Sequence, residues 1–262
     1  MEYQRTLDSI NKRAYSNKKI LRWYDDLDNI LRPEEVILES LAPAIKDRKL
    51  MDIGIGGGRT TRRLLELSKD YLGIDYSPDF VAVARRKFPE ARIECCDARD
   101  LGMFATDAFD FALFSFNSID YIAHDGRIRA LAEINRVLKP NGFFMFATHN
   151  RDYRGFNKLP WQEQTPFSLG HLKSCLYTFV HLPKHFLMQK HEQHTREYAI
   201  VNDTAHGFSL LSYYIGMSEQ IRQLERMGFT MVEAYNAEGE RVVEDSESPW
   251  IHYLARKSAT RL

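Results

Sequence analysis

The chain has 262 residues, 44% of them apolar and 27% charged, an ordinary balance for a globular protein with a full hydrophobic core. Its 36 lysines and arginines equal its 36 aspartates and glutamates, so the formal net charge is zero and the basic excess that nucleic-acid backbones demand is missing. The three cysteines, Cys95, Cys96 and Cys175, have a spacing that suits neither a disulfide framework nor a zinc-cysteine site, and they read as free thiols in a reducing compartment.

Residues 1–17 are polar and charged, without the apolar run of a signal peptide. The longest apolar runs, Phe109–Phe116 and Phe143–Ala147, are too short to span a bilayer. A cytoplasmic protein with no membrane and no nucleic-acid partner is expected, as a monomer or homodimer.

In chain order, residues 20–45 read as helix, with a break or second start at Pro33. A short apolar strand over 49–53 runs into Gly54-Ile55-Gly56-Gly57-Gly58, and a helix capped by Thr60 follows to Leu67. The unit then repeats. A strand over 71–74 ends at Asp75, a helix spans 78–87, and a strand over 92–96 ends at Asp97. An apolar strand over 109–116, a helix over 127–138 stopped by Pro140, and a strand over 143–148 complete five strands of parallel type. Residues 150–216 break the rhythm with an amphipathic helix over 169–189 and a hairpin of 196–201 and 208–215. A helix over 219–227 and strands over 229–235 and 250–256 close the chain.

The expected architecture is therefore α/β: a mostly parallel seven-stranded sheet with helices on both faces and an inserted α+β cap after strand five. Residues 1–47 would be N-terminal helices, 48–149 the core, 150–216 the cap and 217–262 the rest of the core. An insertion of that length after a fifth strand sits over the carboxyl ends of the strands, where open α/β sheets bind ligands.

Three features mark those ends. Gly54 and Gly56 let the backbone approach a ligand closely. Asp75, about 20 residues on, can accept hydrogen bonds from both hydroxyls of a ribose. Asp97, one further strand-helix-strand unit along, can accept from an adenine amino group. Together they describe a nucleoside site. The third glycine of the dinucleotide pattern is replaced by Arg59, which disfavours a pyrophosphate and with it a nicotinamide-dependent oxidoreductase.

These segments resemble the motifs of class I S-adenosylmethionine-dependent methyltransferases, Rossmann-like enzymes. Residues 50–59 are similar to their first motif, Gly73-Ile74-Asp75-Tyr76-Ser77 to the acidic second, Cys96-Asp97-Ala98 to the third, 109–117 to the fourth and 133–142 to the turn before strand five. The resemblance implies S-adenosylmethionine as cofactor, with S-adenosylhomocysteine as product. It implies that Gly54, Ile55 and Gly56 contact the methionine portion, that Asp52 braces the turn, and that Asp75 holds the ribose. Tyr76 would stack on adenine, Asp97 and the Ala98 amide would read its edge, and Ser115 and Phe116 would flank the transferred methyl.

Methyl transfer needs chiefly orientation, plus a general base if the acceptor is a hydroxyl. His149, at the end of the fifth strand, is a candidate base or acceptor contact, with a structural hydrogen-bonding role as the alternative. His206 in the cap hairpin turn is a second candidate. Asn117, Ser118 and Asp120 after the fourth strand, with Tyr213 of the cap, are candidate acceptor contacts, and His124 a weaker one. The pairs His181/His185 and His191/His194 have spacings that could pinch a metal, but no carboxylate or cysteine completes either set, so no metal is expected. An enclosing insert suits a small-molecule acceptor, methylated on oxygen or nitrogen. A protein or RNA methyltransferase is the alternative.

Overall fold

The structure, a computed structural model, describes residues 2–162, 168–243 and 246–259. Three helices precede the sheet: α1 (Glu2–Tyr15), α2 (Lys18–Asp25) and α3 (Arg32–Ile45). The helical stretch expected over 20–45 is thus two helices, the second starting with Pro33 in its first turn. Helix α1 falls in the region expected to hold N-terminal helices, but its bounds were not readable. Its sequence is mostly polar, and only Leu7, Asn11, Ala14 and Tyr15 are buried, at a spacing too sparse to stand out.

The parallel half of the sheet contains β1 (Leu50–Ile53), β2 (Tyr71–Asp75), β3 (Arg92–Cys95), β4 (Phe109–Phe114) and β5 (Leu138–Asn150). They lie in the order β3-β2-β1-β4-β5, each pair parallel. The order reverses between β1 and β4, which opens a crevice at their carboxyl ends. Helices α4 (Thr61–Leu67), α5 (Pro78–Lys87) and α6 (His124–Val137) make the crossovers. Helix α5 has Pro78 and Asp79 in its first turn and Arg85, Arg86 and Lys87 in its last, matching the helix dipole at both ends.

Two local expectations are corrected. Thr60 precedes α4 but makes no side-chain cap; its hydroxyl donates to Asp52 Oδ2 at 2.7 Å instead. Helix α6 stops at Val137, before Pro140 is reached, and β5 absorbs Pro140-Asn141-Gly142 as a bulge where pairing jumps from Phe109↔Leu138 to Phe111↔Phe143.

After β5 come α7 (Leu169–Met188), β6 (Gln193–His194), β7 (Tyr198–Val201) and β8 (Ser212–Ile215), then α8 (Met217–Arg226), β9 (Phe229–Tyr235) and β10 (Trp250–Lys257). The sheet has ten strands rather than seven, because the hairpin of the insert joins it. Strand β4 stops opposite Phe146, leaving the tip of β5 with an unpaired edge. Strand β8 takes that edge in parallel at His149↔Tyr214 and Asn150↔Ile215, while β10 pairs antiparallel along the other side from Phe143 to His149. Residues 208–215 do not alternate as a half-exposed strand would; Phe208, Leu210, Leu211, Ser212 and Tyr213 are all fully buried.

One buried cation joins these elements. Arg127, on α6 and wholly inaccessible, donates to Asp120 Oδ1 (2.6 Å), to Gln220 and Gln223 of α8 (2.7 and 3.1 Å) and to Thr148 of β5 (3.3 Å), and lies over the Tyr213 ring. Replacing Arg127 with methionine would strand the Asp120 carboxylate in the interior. The expected loss is about 3–5 kcal/mol in urea unfolding, and adding Asp120→Asn should restore part of it.

Candidate functional site

The crevice between β1 and β4 is a cleft of about 990 Å³, part of it open to solvent. Its floor is the turn after β1. Gly56 has φ +53°, and a side chain there would meet nothing nearer than Tyr24 Cδ1 at 3.9 Å, so this peptide faces open space. At Gly57 a Cβ would fall 2.5 Å from the Tyr24 carbonyl oxygen, so this glycine lets α2 close onto the turn. Gly54 and Ile55 also line the cleft.

Asp75 ends β2 beside that turn. One carboxylate oxygen accepts from the Gly56 amide (2.9 Å) and the other from the Ser77 amide (2.8 Å). Both oxygens keep a lone pair for further donors. Burial pushes its pKa up to about 6, against the two amide hydrogen bonds. Asp52 lies beneath the turn, where Oδ2 accepts from Thr60 and Tyr71 and Oδ1 is buried without a partner. Burial outweighs those bonds and raises it to about 7.

Tyr76, Cys96, Asp97 and Ala98 form the far end of the cleft. Asp97 is not a free acceptor: Arg99 donates to both its oxygens at 2.6 and 2.9 Å and reaches Asp8 of α1 at 2.5 Å. Burial raises the Asp97 carboxyl, but the Arg99 hydrogen bonds and charge hold it below its ordinary value. Helix α1 supplies Asp8, Asn11, Lys12 and Tyr15 as one wall, with the Lys12 ammonium 5.5 Å from the Tyr76 ring centre. Asn11 fixes α1 in place, donating to the Tyr121 and Leu211 carbonyls and accepting from the Leu211 amide. Helices were expected over 1–47, but no local pattern marked Asp8, Asn11 and Lys12 as facing the cleft; Asp-x-Arg at 97–99 was the available signal for the clamp.

Arg59 stands at the opposite end, over the Phe116 ring at 5.0 Å. Its guanidinium is paired bidentately with buried Glu34 of α3 at 2.6 and 2.7 Å and caps the Asn29 carbonyl. Burial favours protonation of Glu34, yet the Arg59 charge and hydrogen bonds keep it below its usual range. A cation already neutralised in this way is a poor pyrophosphate anchor, so the donor set fits a nucleoside without phosphates. Ser115 and Ser118 line the wall next to Phe116, and both Phe116 and Asn117 take left-handed backbone conformations at φ +54°.

The candidate acceptor residues divide. His149 lies at the tip of β5 with its ring against Tyr121, Tyr214 and Trp250, and Tyr121 also lines the cleft. Its Nδ1 is 2.8 Å from Asp120 Oδ2, which also accepts from the His149 amide at 2.7 Å. Asp120 is therefore no acceptor contact; it is fully enclosed and shared among Arg127, Thr148 and His149. Tyr213 is also enclosed, its hydroxyl placed between His124 Nδ1 and Gln223. Asn117 is buried with an unpartnered Oδ1. His206 sits away from His149, against Trp23 and Tyr24 at ring distances of 5.4 and 5.9 Å, and burial lowers its pKa. His181 and His185 bond to Tyr177 and Asn202, and among the described residues no cluster of three or more metal-ligating side chains occurs. No described helix is long and apolar enough to cross a membrane.

A family model described as a methyltransferase domain matches residues 51–146, the segment that builds the cleft. Over these residues the chain is similar to methyltransferase domains. The biotin biosynthesis bifunctional protein BioHC of Cellvibrio japonicus is 30% identical over 62% of the chain and 32% of its own length. The ubiquinone biosynthesis O-methyltransferase of Azorhizobium caulinodans is 28% identical over 45% of the chain and 46% of its own length. The chain thus spans half or less of the length of these relatives. The 1,6-didemethyltoxoflavin-N1-methyltransferase of Burkholderia thailandensis, solved with 1,6-didemethyltoxoflavin and S-adenosylhomocysteine bound, has a similar fold. The TM-score is 0.59 at 17% identity, over 98% of this chain and 89% of that one.

Were Asp75 to hold a ribose, as the sequence implies, its raised pKa would make that binding pH-dependent. Ribose hydroxyls would donate to the anion, so the proton would have to leave first. Affinity should therefore fall up to about tenfold per pH unit as pH drops below about 6, and stay level above it. Titration calorimetry across that range checks this. Asp75→Ala should lose about 1–3 kcal/mol at neutral pH and flatten the profile.

Proposed function

We propose that this chain transfers the methyl of S-adenosylmethionine to an oxygen or nitrogen of a small-molecule acceptor held beneath residues 150–216, which act as a cap on the core of 48–149 and 217–262. The observation that carries the reading is the Asp120–His149 pair at the tip of β5. Asp120 accepts the Nδ1 proton, which leaves the Nε2 lone pair of His149 free to take a proton. Carboxylate-oriented imidazoles of this kind serve hydroxyl acceptors, where deprotonation must accompany attack.

When bound, the cofactor supplies an electrophilic methyl on a sulfonium. The protein's part is placement. The turn at Gly54–Gly56 and the Asp75 carboxylate hold the nucleoside and methionine portions, and Tyr76 and Ala98 enclose the base. Ser115 and Phe116 bound the cleft where the methyl would emerge. Tyr121, Tyr214, Trp250 and Phe116 give the acceptor side apolar walls that keep water from competing. His149 Nε2 would accept the proton that a hydroxyl acceptor gives up on methylation. His206, with Trp23 and Tyr24, closes the outer mouth.

A labelled methyl followed from S-adenosylmethionine into a cell extract tests the acceptor class. Label in the low-mass fraction, absent with Asp75→Ala, supports the reading; label in protein or RNA overturns it. With the acceptor in hand, His149→Ala should leave cofactor affinity unchanged and slow transfer to a hydroxyl by about 10²–10⁴-fold. Undiminished turnover would remove His149 as the base.

A further inference from the structure

Helix α7 is amphipathic in the reverse of the usual sense. Its inner face is polar: buried Thr178 and His185 turn inward, and His185 Nδ1 lies 3.1 Å from Asn202 Oδ1. Asn202 in turn donates to the Phe208 and Leu210 carbonyls, and His181 and Tyr177 pack on Gly207. This face grips the segment that carries His206. The outer face is apolar. Leu169, Leu172, Leu176, Phe179, Val180, Phe186 and Leu187 are each 50–76% exposed. Together they present on the order of 1,000 Å² of mostly apolar surface, well beyond the largest patch of a typical monomer.

The order of these residues says what covers them. Leu169, Leu172, Leu176, Phe179, Pro183 and Phe186 follow one another at intervals of three, four, three, four and three, an unbroken seam along a 20-residue helix. Run antiparallel to itself, the seam pairs Leu169 with Phe186, Leu172 with Pro183 and Leu176 with Phe179, and each pairing recurs on the other side of the midpoint. Val180 and Leu187 widen the stripe on one margin. A stable interface buries about 800 Å² per partner, within what this face offers. We propose that α7 pairs with α7 of a second copy of this chain, antiparallel about a two-fold axis. The inference stands apart from the methyl-transfer reading.

Charge adds a sign. No carboxylate occurs between Leu169 and Met188, and Lys173 and Lys184 flank the same margin of the stripe. Antiparallel pairing brings Lys173 of one copy level with Lys184 of the other, so salt screens a repulsion and tightens the dimer. A helix lying on an anionic lipid surface would respond the opposite way.

Sedimentation velocity of the full chain at micromolar concentration is the test. The wild type is expected at twice the chain mass, more firmly so at high salt. The double variant Leu176→Lys with Phe179→Lys should sediment at a single chain mass, its dimer dissociation constant raised roughly a hundredfold or more, with cofactor affinity unchanged as evidence of folding. A wild type at single chain mass, or a double variant that remains dimeric, overturns the proposal. A monomer that co-sediments with phosphatidylglycerol vesicles, and is released by salt, would assign the face to lipid instead.

Discussion

The arrangement of this protein turns on a carboxylate held out of water. Asp120 receives hydrogen bonds from Arg127, Thr148, and both the amide and the Nδ1 of His149. A buried anion is tolerable only when its donors are complete, and here they come from α6 and from the tip of β5, with Arg127 reaching on to α8. Satisfying one side chain therefore fixes how the fifth strand, the crossover before it and the helix after the insert meet. The same network sets the tautomer and direction of His149. Structure and candidate chemistry share one set of hydrogen bonds.

The cofactor cleft is assembled on a different logic. Backbone amides at Gly56 and Ser77 hold Asp75, Arg99 holds Asp97, and Glu34 holds Arg59. These three charged groups are held in place before a ligand arrives, so little reorganisation of them is needed on binding. The Asp8–Arg99–Asp97 chain also ties the N-terminal helix to the Tyr76–Ala98 end of the cleft, and Asn11 ties the same helix to Leu211. Helix α1 is thereby a wall shared by the cofactor side and the cap.

The insert belongs to the sheet as much as to the site. Its hairpin occupies the edge of β5 that β4 leaves free, and its helix braces the segment bearing His206 through His185 and Asn202. That bracing uses the polar face of α7, which is why the apolar stripe faces outward and asks for a partner.

Much of the core was legible in the residues. The runs ending at Ile53, Asp75, Cys95 and Phe114, with Gly54, Gly56 and Asp75 at their ends, follow from local patterns: apolar runs of strand length, turn residues, and carboxylates one crossover apart. Asp52 and Ala98 came only from the resemblance. Helices were expected over 1–47, but the bounds and inward face of α1 were hidden because that face is narrow and includes Asn11. The joining of β6–β8 to the sheet, the Arg99 clamp, the enclosure of Asp120 and Tyr213, and the outward stripe of α7 depend on which distant residues meet. Periodicity states that a helix has an apolar face or that a strand has an edge. Only packing decides whether that face looks inward, or which strand takes that edge, because the competing partners lie far apart in the chain.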